Sequence, residues 1–544
     1  MNDATSIRSG LLATLEHQLP RVLSQISRDP HAPFYGCCDR NWHHYKIRDF
    51  PSIILQQGGY LVASAAEVDE LQSRKPAYRE IARASAIFWN QRAELHGAFE
   101  EYYPYEQGYP PVAFSTLAMA KLAHQGIVET EAIYPGLKKA AGQLLSRFEP
   151  KAANQQVAGL AALEFVRHVA PELVPAKALA SVRQRTLSLQ DEEGWYLEYG
   201  GPDLGYLAVT IDCLWDAYDA SKEPAYLNSA RAALHFMASL VAPFRRSIGM
   251  HNARNTDYLT PYGIVRFLDA EQEEDRSAAA FTVQAVFAGA DRADHFFAAV
   301  DDRYWSHYIG HSVARAVQLL EDPERQKTLA TAKPQASQEV GYESCGIWYR
   351  PETGSNTSLL LSRRKGGILT LGYGKEFATD YGWVVEATDG LQFVNHWWAD
   401  CWSWEMKPVE GVLARIEGHL FPHSETVVTP VKHMALRVLS FFFGYRLINQ
   451  LKARLIFKAE VSSIRFRREI REISGLIEIH DQLENLPDGA EVKVAPRISK
   501  RHVASADSHH PEDFPQLLGW QAKRETNRDG DRFEATIRYH RPSA

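Results

Sequence analysis

The chain has 544 residues, of which 45% are hydrophobic and 23% charged, a composition typical of packed globular domains and not of disordered chains. Its 60 Lys and Arg residues against 67 Asp and Glu residues give a net charge of −7, which argues against a nucleic-acid partner. The five Cys residues, an odd number, exclude a small disulfide scaffold and favour free thiols in a reducing compartment.

The first residues contain no pattern of an export signal. Asp3, Arg8 and Glu16 interrupt the region where a signal peptide would have its apolar core. No stretch of roughly 18 consecutive apolar residues occurs, so a transmembrane helix is not predicted. We therefore expect a cytoplasmic protein, with any membrane contact peripheral at the inner membrane.

From about residue 67 to 329 the apolar residues recur at helical spacing. Phe114, Leu117 and Ala120 are one example, and Leu160, Leu163 and Phe165 begin another. Clusters of aromatic residues, Gly and Pro separate these segments and predict short helices joined by polar loops. Paired helices bury their apolar faces by stacking in a solenoid or in a closed ring, and we favour the closed ring.

After Gln335 the pattern changes to alternation with a period of two. Residues 346–350, 358–361, 367–371 and 477–480 show it, with Gly and Asn turns between them. This pattern predicts a β domain, joined to the helical part by a linker at 330–339. The sequence therefore predicts two domains, a helical one at 1–330 and a β domain at 331–544.

Five segments concentrate aromatic side chains beside amides, carboxylates and Arg. They lie at 38–45, 99–106, 194–206, 251–263 and 395–398. Aromatic rings pack on the C–H faces of sugars, while polar groups bind hydroxyls and carboxylates, so this composition favours carbohydrate. The alternative is that these side chains end helices and fill the ring interior.

The order of these segments resembles the heparinase II/III-like polysaccharide lyases, and more closely the branch encoded beside bacterial exopolysaccharide and O-antigen genes. The resemblance is carried by residues 39–51, 97–115, 154–155, 194–206, 254–263 and 380–383, and it extends over about 35–430. It implies an N-terminal (α/α) toroid, a C-terminal antiparallel β-sandwich and a glycan cleft between them. It also implies β-elimination on a uronic acid, with no cofactor required.

The resemblance also assigns residues to roles. It implies that Tyr258 is the acid/base, with Arg254 and Asn255 as charge stabilisers, His396 closing the site from the β domain and Tyr206 as a further catalytic candidate. A phenol at hydrogen-bond reach can take the C5 proton, while cationic or amide donors stabilise the enolate-like charge. The remaining residues are expected to bind substrate, and they are Glu198, Tyr199, Asn154, Gln155, Glu101, Tyr102, His44, Arg48, His251, Asn252, Tyr262 and Trp397.

The sequence departs from the family at the position that neutralises the uronate carboxylate. Many members have Asn or His where this chain has Glu198 and Tyr199. A carboxylate neutralises another carboxylate only if it is protonated or works through a partner. An Arg or an amide can take over the role, and the candidates are Arg254, Asn252, Asn255, Asn154 and Gln155.

Two other functions remain open. A glycoside hydrolase would use paired carboxylates, for which Glu101, Glu106, Glu198 and Asp203 are available. A non-catalytic glycan-binding or assembly protein would keep the cleft and lack the chemistry. In each case the expected partner is an acidic polysaccharide or oligosaccharide. No catalytic metal site is predicted, and a structural divalent metal and the oligomeric state are left open.

One segment bears on location. Residues 432–458 contain six Lys and Arg residues, many large apolar residues and no acidic residue. Such a segment suits the interface of an anionic bilayer, so peripheral membrane contact is one expectation. The alternative is that it packs as a helix or strand within the β half, with its basic residues at the rim.

Overall fold

The structure is a computed structural model, and the residues it describes are 4–95, 98–102, 104–241, 246–331, 338–352, 357–373, 376–423, 429–452, 460–473, 476–496 and 520–540. Positions 332–337 of the predicted linker and 453–458 of the basic apolar segment lie outside them. Within the described ranges, every helix falls short of the combined length and hydropathy that crossing a bilayer requires.

Helices form the N-terminal part of the chain. Its α-helices are α1 (Ala4–Gln25), α2 (Arg40–His43), α3 (Gln57–Ala65), α4 (Lys75–Ala93), α5 (Tyr109–His124), α6 (Thr130–Ser146), α7 (Ala153–Val169), α8 (Ala176–Leu187), α9 (Leu204–Ser221), α10 (Pro224–Val241), α11 (Tyr262–Val265), α12 (Glu273–Phe287), α13 (Phe296–Ala299), α14 (Asp302–Tyr304), α15 (Gly310–Leu319) and α16 (Pro323–Thr331). Short 3-10 turns lie at Ile53–Gln56, Asp69–Arg74, Pro171–Leu173, Gly249–His251 and Arg266–Asp269, and a π-helical turn lies at Trp305–Ile309.

The helices close into a ring. Helices α5, α7 and α9 pack side by side and are buried along most of their length, as expected for inner helices that are apolar on several faces. Helix α9 packs on α10 and α10 on α12, and the last helices return to the first, since α1 contacts both α15 and α16. The prediction of a closed helical ring is confirmed.

Strands follow from Val340 onward. They are β1 (Val340–Tyr342), β2 (Ile347–Arg350), β3 (Ser358–Ser362), β4 (Ile368–Tyr373), β5 (Glu376–Asp380), β6 (Trp383–Glu386), β7 (Gln392–Val394), β8 (Ser403–Met406), β9 (Val412–His419), β10 (Phe421–His423), β11 (Arg465–Ile473), β12 (Leu476–Glu484), β13 (Glu491–Val494), β14 (Gln521–Asp529) and β15 (Arg532–His540). Within the described residues they form three antiparallel sheets, in the orders β1-β2-β3-β4-β5, β10-β7-β6-β13 and β14-β15-β12-β11-β9-β8.

The three sheets share one apolar core, which makes the β domain a sandwich. Leu371 of the first sheet, Val385 of the second and Ile479 of the third belong to one buried cluster. In β15, buried inward residues alternate with outward ones, and the inward residues are Phe533, Ala535, Ile537 and Tyr539. The predicted order of a helical domain followed by an antiparallel β domain is confirmed.

A buried ion cluster crosses this core. The Arg468 guanidinium is fully buried and donates at 2.7 Å to both Asp380 and Asp481. The Tyr539 hydroxyl donates to the second Asp380 oxygen at 2.6 Å, and the Trp383 indole donates to Asp481 at 2.8 Å. Because every charge has a partner, this cluster fixes strands β5, β11, β12 and β15 relative to one another.

The β domain also contains a helical insertion. Helices α17 (Pro430–Phe443) and α18 (Tyr445–Lys452) lie between β10 and β11. Thr429 begins α17 with an N-cap, its hydroxyl accepting from the Lys432 N–H. Most of the predicted basic apolar segment is therefore helical in the described residues.

The two domains share a continuous interface. Ile347, Tyr349, Leu360 and Trp398 of the β domain pack into the apolar cluster of the helical ring. Polar contacts supplement this packing, such as the Trp195 indole donating to the Ser344 hydroxyl at 2.9 Å. The interface thereby positions β-domain loops against the ring loops that follow α8 and α10.

Candidate active site

The candidate site begins at the N-terminus of α9, where Asp203 organises two loops. Its carboxylate accepts from the Tyr206 N–H at 3.2 Å, as an N-cap, and from the Arg254 N–H at 2.9 Å. It also accepts from the Thr256 hydroxyl. Gly205 allows this approach, because a Cβ there would lie 2.4 Å from the Thr256 hydroxyl oxygen. Loop 252–256 is thus held against the start of α9.

A second loop, 198–201, lies beside the first. Asn154 at the start of α7 donates its amide to Glu198 Oε2 at 2.5 Å, and the Tyr199 N–H donates to the Lys151 carbonyl at 2.7 Å. Gly201 provides a flat surface on which the Trp398 indole packs, since a Cβ there would lie 2.6 Å from that ring. The β domain therefore contacts this loop directly.

Arg254 lies between the two loops. Its guanidinium is 4.0 Å from the ring centroid of Tyr199 and 5.8 Å from that of Tyr206, and the residue is partly exposed. Tyr199 and Asn255 both have positive φ, at 56° and 59°. Non-glycine residues rarely adopt this conformation, and it concentrates at functional sites. Backbone strain is therefore stored at Tyr199 and at Asn255, which both lie next to the partly exposed Arg254.

Lys365 holds loop 252–256 from the β-domain side. Its ammonium is buried and donates to the carbonyls of Met250 and Asn252 at 2.6 Å each and to Asn255 Oδ1 at 2.5 Å. Three oxygen acceptors match the three N–H donors of a lysine. Lys365 is therefore the link through which the β domain sets the position of Arg254 and Asn255.

Four tyrosines pack together next to Arg254. The hydroxyls of Tyr206 and Tyr304 are 3.4 Å apart, and those of Tyr258 and Tyr308 are 2.8 Å apart. The Tyr206 and Tyr304 rings each lie 6.0 Å from the Tyr258 ring, between centroids. Tyr304 is partly exposed and precedes the π-helical turn, a local irregularity often found at functional sites. The Tyr304 hydroxyl is therefore the member of the cluster nearest to solvent.

A second cationic group continues the open face beyond Tyr304. Arg303 forms an ion pair with Glu101, and its guanidinium lies 4.9 Å from the Tyr102 ring centroid. Tyr102 is 66% exposed. Arg48 donates to the Glu101 carbonyl at 3.3 Å and is also partly exposed. We call the partly exposed residues Arg254, Tyr304, Arg303 and Arg48 the cationic strip.

The carboxyl group of Glu198 has a raised pKa. Burial raises the pKa of Glu198 to about 8, although Arg254 and the Asn154 amide oppose that effect. Its Oε1 atom is buried and has no hydrogen-bond partner among the described residues. At neutral pH burial therefore favours the neutral form of this carboxyl group, whose Oε1 atom is enclosed within the protein.

Several predicted binding residues lie away from the cationic strip. His251 is buried between the Ser362 and Thr370 hydroxyls at 2.7 and 2.8 Å, and burial lowers its pKa to about 3, so it joins the two domains. Asn252 is fully buried with both ends of its amide engaged. These positions do not fit the substrate contacts predicted for them, because no surface of either amide or imidazole is open to a polymer.

Three more predicted residues belong to other parts of the molecule. The Tyr262 hydroxyl contacts Asp219 and Arg266, at 3.3 and 2.9 Å. Trp397 packs in the β-sandwich core against Phe421. His44 is exposed, with its ring against Tyr45. The structure therefore corrects the prediction that Tyr262 and Trp397 contact a substrate, because internal packing and hydrogen bonding account for both.

Tyr258 is fully buried, with 0% of its surface exposed. Its hydroxyl is engaged with Tyr308, and the rings of Tyr206 and Tyr304 pack against it. Direct contact with a sugar does not fit this geometry. His396 is also buried, two residues from Trp398 on the β-domain loop that meets Gly201, and its role stays a prediction.

Sequence reasoning missed Arg303, Tyr304 and Lys365. Arg303 and Tyr304 lie in residues 301–308, which combine charged and aromatic residues like the five segments rich in aromatic and polar side chains. That composition could have identified them as candidates. Lys365 had no such signal, because its role depends on a turn of the β domain meeting a ring loop.

Comparisons with known proteins find several similar solved structures. One is the Streptomyces coelicolor A3 chondroitin AC lyase in complex with chondroitin sulphate, with 10% identity and a TM-score of 0.49 over 98% of this chain and 76% of that chain. Another is a point mutant of the same lyase, with 12% identity and a TM-score of 0.44 over the same shares. No family model matches the chain, and no curated protein matches it.

Proposed function

We propose that the chain is a polysaccharide lyase of the heparinase II/III-like kind, which cleaves a uronic-acid-containing bacterial surface polysaccharide by β-elimination. The observation that carries this proposal is the position of Arg254. The residue is partly exposed, and its guanidinium lies beside the buried carboxyl group of Glu198 and 5.8 Å from the ring centroid of Tyr206, one of the two tyrosines whose hydroxyls lie 3.4 Å apart. This set supplies both the charge stabilisation and the proton transfer that elimination requires.

Charge stabilisation comes first. The C5 proton of a uronate is only weakly acidic while the adjacent carboxylate carries its full charge. Arg254 offers paired N–H donors that match a carboxylate, and the buried, neutral Glu198 beside it leaves the guanidinium charge available to the substrate. This resolves the difficulty raised by an acidic residue at this position, because a protonated Glu198 does not repel the substrate.

Proton transfer follows through the tyrosine pair. One phenol in its anionic form takes the C5 proton, the C4–O bond breaks, and a double bond forms between C4 and C5. The departing C4 oxygen then takes a proton from the phenol group. Burial raises the pKa of Tyr206, while the charge of Arg254 opposes this rise. We propose that the Tyr304 hydroxyl contacts the sugar. Tyr206 lies next to it, with its hydroxyl 3.4 Å from that of Tyr304.

The cationic strip supports the choice of an acidic polymer. Arg254, Arg303 and Arg48 are each partly exposed, although the chain as a whole has a net charge of −7, and Arg303 pairs with Glu101 while Arg48 lies 3.7 Å from Asp39. Tyr102 presents an exposed ring beside Arg303, suited to packing on a sugar. A polymer with a carboxylate on alternate units would meet these groups in succession.

Hydrolysis by paired carboxylates receives less support. Asp203 is engaged by two backbone N–H groups and a hydroxyl, Glu101 is paired with Arg303, and Glu106 accepts from the Tyr102 N–H at 3.1 Å. Of these four carboxyl groups, Glu198 is the one with a buried oxygen lacking a partner in the described residues. A hydrolase needs two carboxyl groups placed across one bond.

The experiment is to incubate the protein with a panel of uronate polymers and to follow the ultraviolet absorbance of the unsaturated product. Suitable polymers are polyglucuronate, alginate, chondroitin sulphate and the acidic surface glycan of the source bacterium. We expect absorbance to rise on at least one polymer and to be lost in Arg254→Gln but retained in Tyr262→Phe. New reducing ends without absorbance would indicate hydrolysis, and binding without shortening would indicate a glycan-binding protein.

A further inference from the structure

Helix α17 presents an apolar face to solvent. Val431, Met434, Val438 and Phe442 are spaced by three or four residues and therefore share one side of the helix. Their exposed fractions are 79%, 60%, 52% and 71%. Leu439 beside them is 42% exposed. Isolated exposed apolar residues are ordinary, but a continuous stripe of this kind marks an interaction surface.

One flank of α17, which carries Arg437 and the half-exposed Phe441, contacts the helical ring. Arg437 pairs with Asp49 at 2.8 Å, and the Phe441 ring meets the Tyr105 ring edge-on with centroids 5.2 Å apart. Gly444, directly after the helix, lies close to Gln107, since a Cβ there would be 3.3 Å from the Gln107 amide nitrogen. The apolar stripe is therefore directed outward by contacts made within this chain.

The charged residues of the segment that contains α17 and α18 are all basic. No acidic residue occurs in 426–459, although the chain as a whole is acidic. Lys432 on α17 and Arg446 on α18 are both exposed. This combination of an apolar face with flanking basic residues is the pattern of a helix lying in the interface of an anionic membrane.

We infer that the α17–α18 insertion docks the protein on an anionic lipid bilayer, with Val431, Met434, Val438 and Phe442 entering the acyl boundary and Lys432 and Arg446 meeting the headgroups. Charge favours this occupant over a second copy of the chain. A two-fold interface through α17 would bring the basic residues of both copies together without an acidic residue of the segment between them. Lipid phosphates neutralise them instead.

The anchoring contacts define where the membrane would lie. Tyr105 and Asp49, which hold α17, belong to the same ring loops as Tyr102 and Arg48 of the candidate site. Docking through α17 therefore places the rim of the candidate site close to the bilayer surface. This inference does not depend on the proposed elimination, because the contacts and exposures of α17 stand independently of the chemistry.

The test is sedimentation of the full chain with two kinds of vesicle, one of phosphatidylcholine alone and one in which about a third is phosphatidylglycerol. We expect binding to the anionic vesicles, weaker by about a hundredfold for Met434→Ser/Val438→Ser/Phe442→Ser, since three apolar side chains lose their burial. Lys432→Gln/Arg446→Gln should weaken it by about thirtyfold, at about 1 kcal/mol for each charge. High salt should reduce binding of the unaltered chain.

The matched control is Val409→Ser/Ile473→Ser/Val494→Ser, which removes three exposed apolar residues of the β domain, at 57%, 47% and 46% exposure. It should bind like the unaltered chain. Circular dichroism and thermal unfolding verify that each variant folds. Equal sedimentation of the unaltered chain and the α17 triple variant would overturn the inference. So would a dimer without vesicles that the triple variant dissociates, since α17 would then be a protein interface.

Discussion

Lys365 provides the sharpest test of how the β domain contributes to the candidate site. Its buried ammonium donates to the carbonyls of Met250 and Asn252 and to the side chain of Asn255, and these residues flank Arg254. Lys365→Met keeps most of the side-chain volume and removes the three donors. We expect two separate effects, a loss of stability and a displacement of the loop that carries Arg254.

The size of the stability loss follows from opposing contributions. The three buried acceptors left without a donor each carry a desolvation cost of about 1–3 kcal/mol, or about 6 kcal/mol together. The variant also avoids burying an ammonium group, which costs several kcal/mol. These terms leave a net loss of about 3 kcal/mol in the free energy of unfolding. A shift of about 1 Å in the Arg254 loop would lower turnover by about a hundredfold.

Urea unfolding measures the first effect, and the rate of unsaturated product formation per folded molecule measures the second. The matched control is Arg468→Met, which removes another fully buried cation, in the β-sandwich core. It leaves the Asp380 and Asp481 carboxylates without their cation, so we expect a loss of about 3–5 kcal/mol. It should leave the turnover of the folded fraction unchanged. Unaltered kcat and KM in folded Lys365→Met would refute the positioning role.

Three further predictions concern the tyrosine cluster, Glu198 and Arg303. Tyr304→Phe and Tyr206→Phe should each lower kcat by about 100- to 10,000-fold. Tyr258→Phe should lower kcat by no more than about tenfold, because its buried hydroxyl only supports the cluster. Steady-state kinetics measures kcat for all three variants. Burial raises the pKa of Glu198 to about 8, so its neutral form is lost as pH rises through about 8. We therefore expect kcat/KM to fall above that pH, and we expect Glu198→Gln to abolish this fall. Urea titrations across pH should show the same sign in stability, since the neutral carboxyl group stabilises the fold at low pH and this contribution disappears as pH rises from about 4.5 toward 8. Arg303→Gln should raise KM by about tenfold with little change in kcat, and an unaltered KM would remove it from the binding surface.

Periodicity predicted a helical domain followed by a β domain, while the toroid and the sandwich were implied by the resemblance. The apolar spacing in segments such as 114–122 and 160–169 specifies helices, and the alternation after Gln335 specifies strands, because burial on one face of each element leaves a local pattern. The insertion formed by α17 and α18 is a partial exception. Its composition was visible in the sequence, but its helical form within a β domain was one of two alternatives.

The candidate site was predicted in part. Arg254, Tyr206 and Glu198 lie together, since Tyr206 is in the first turn of α9 and the loops of Arg254 and Glu198 meet there, and their roles stay predictions. Tyr258 and Tyr304 could not be ranked, because which tyrosine is sealed and which is exposed depends on how α14 and the π-helical turn pack across the ring. Such contacts between distant segments leave no mark in local spacing.

The position of a bound uronate carboxylate is the measurement that tests the central claim most directly. A crystal structure of Tyr304→Phe with an uncleaved uronate oligosaccharide would reveal it. We predict that the carboxylate lies within hydrogen-bond distance of the Arg254 guanidinium, with C5 directed toward position 304. A carboxylate bound elsewhere, with the Arg254 guanidinium still stacked on Tyr199 and contacting no sugar, would contradict the account.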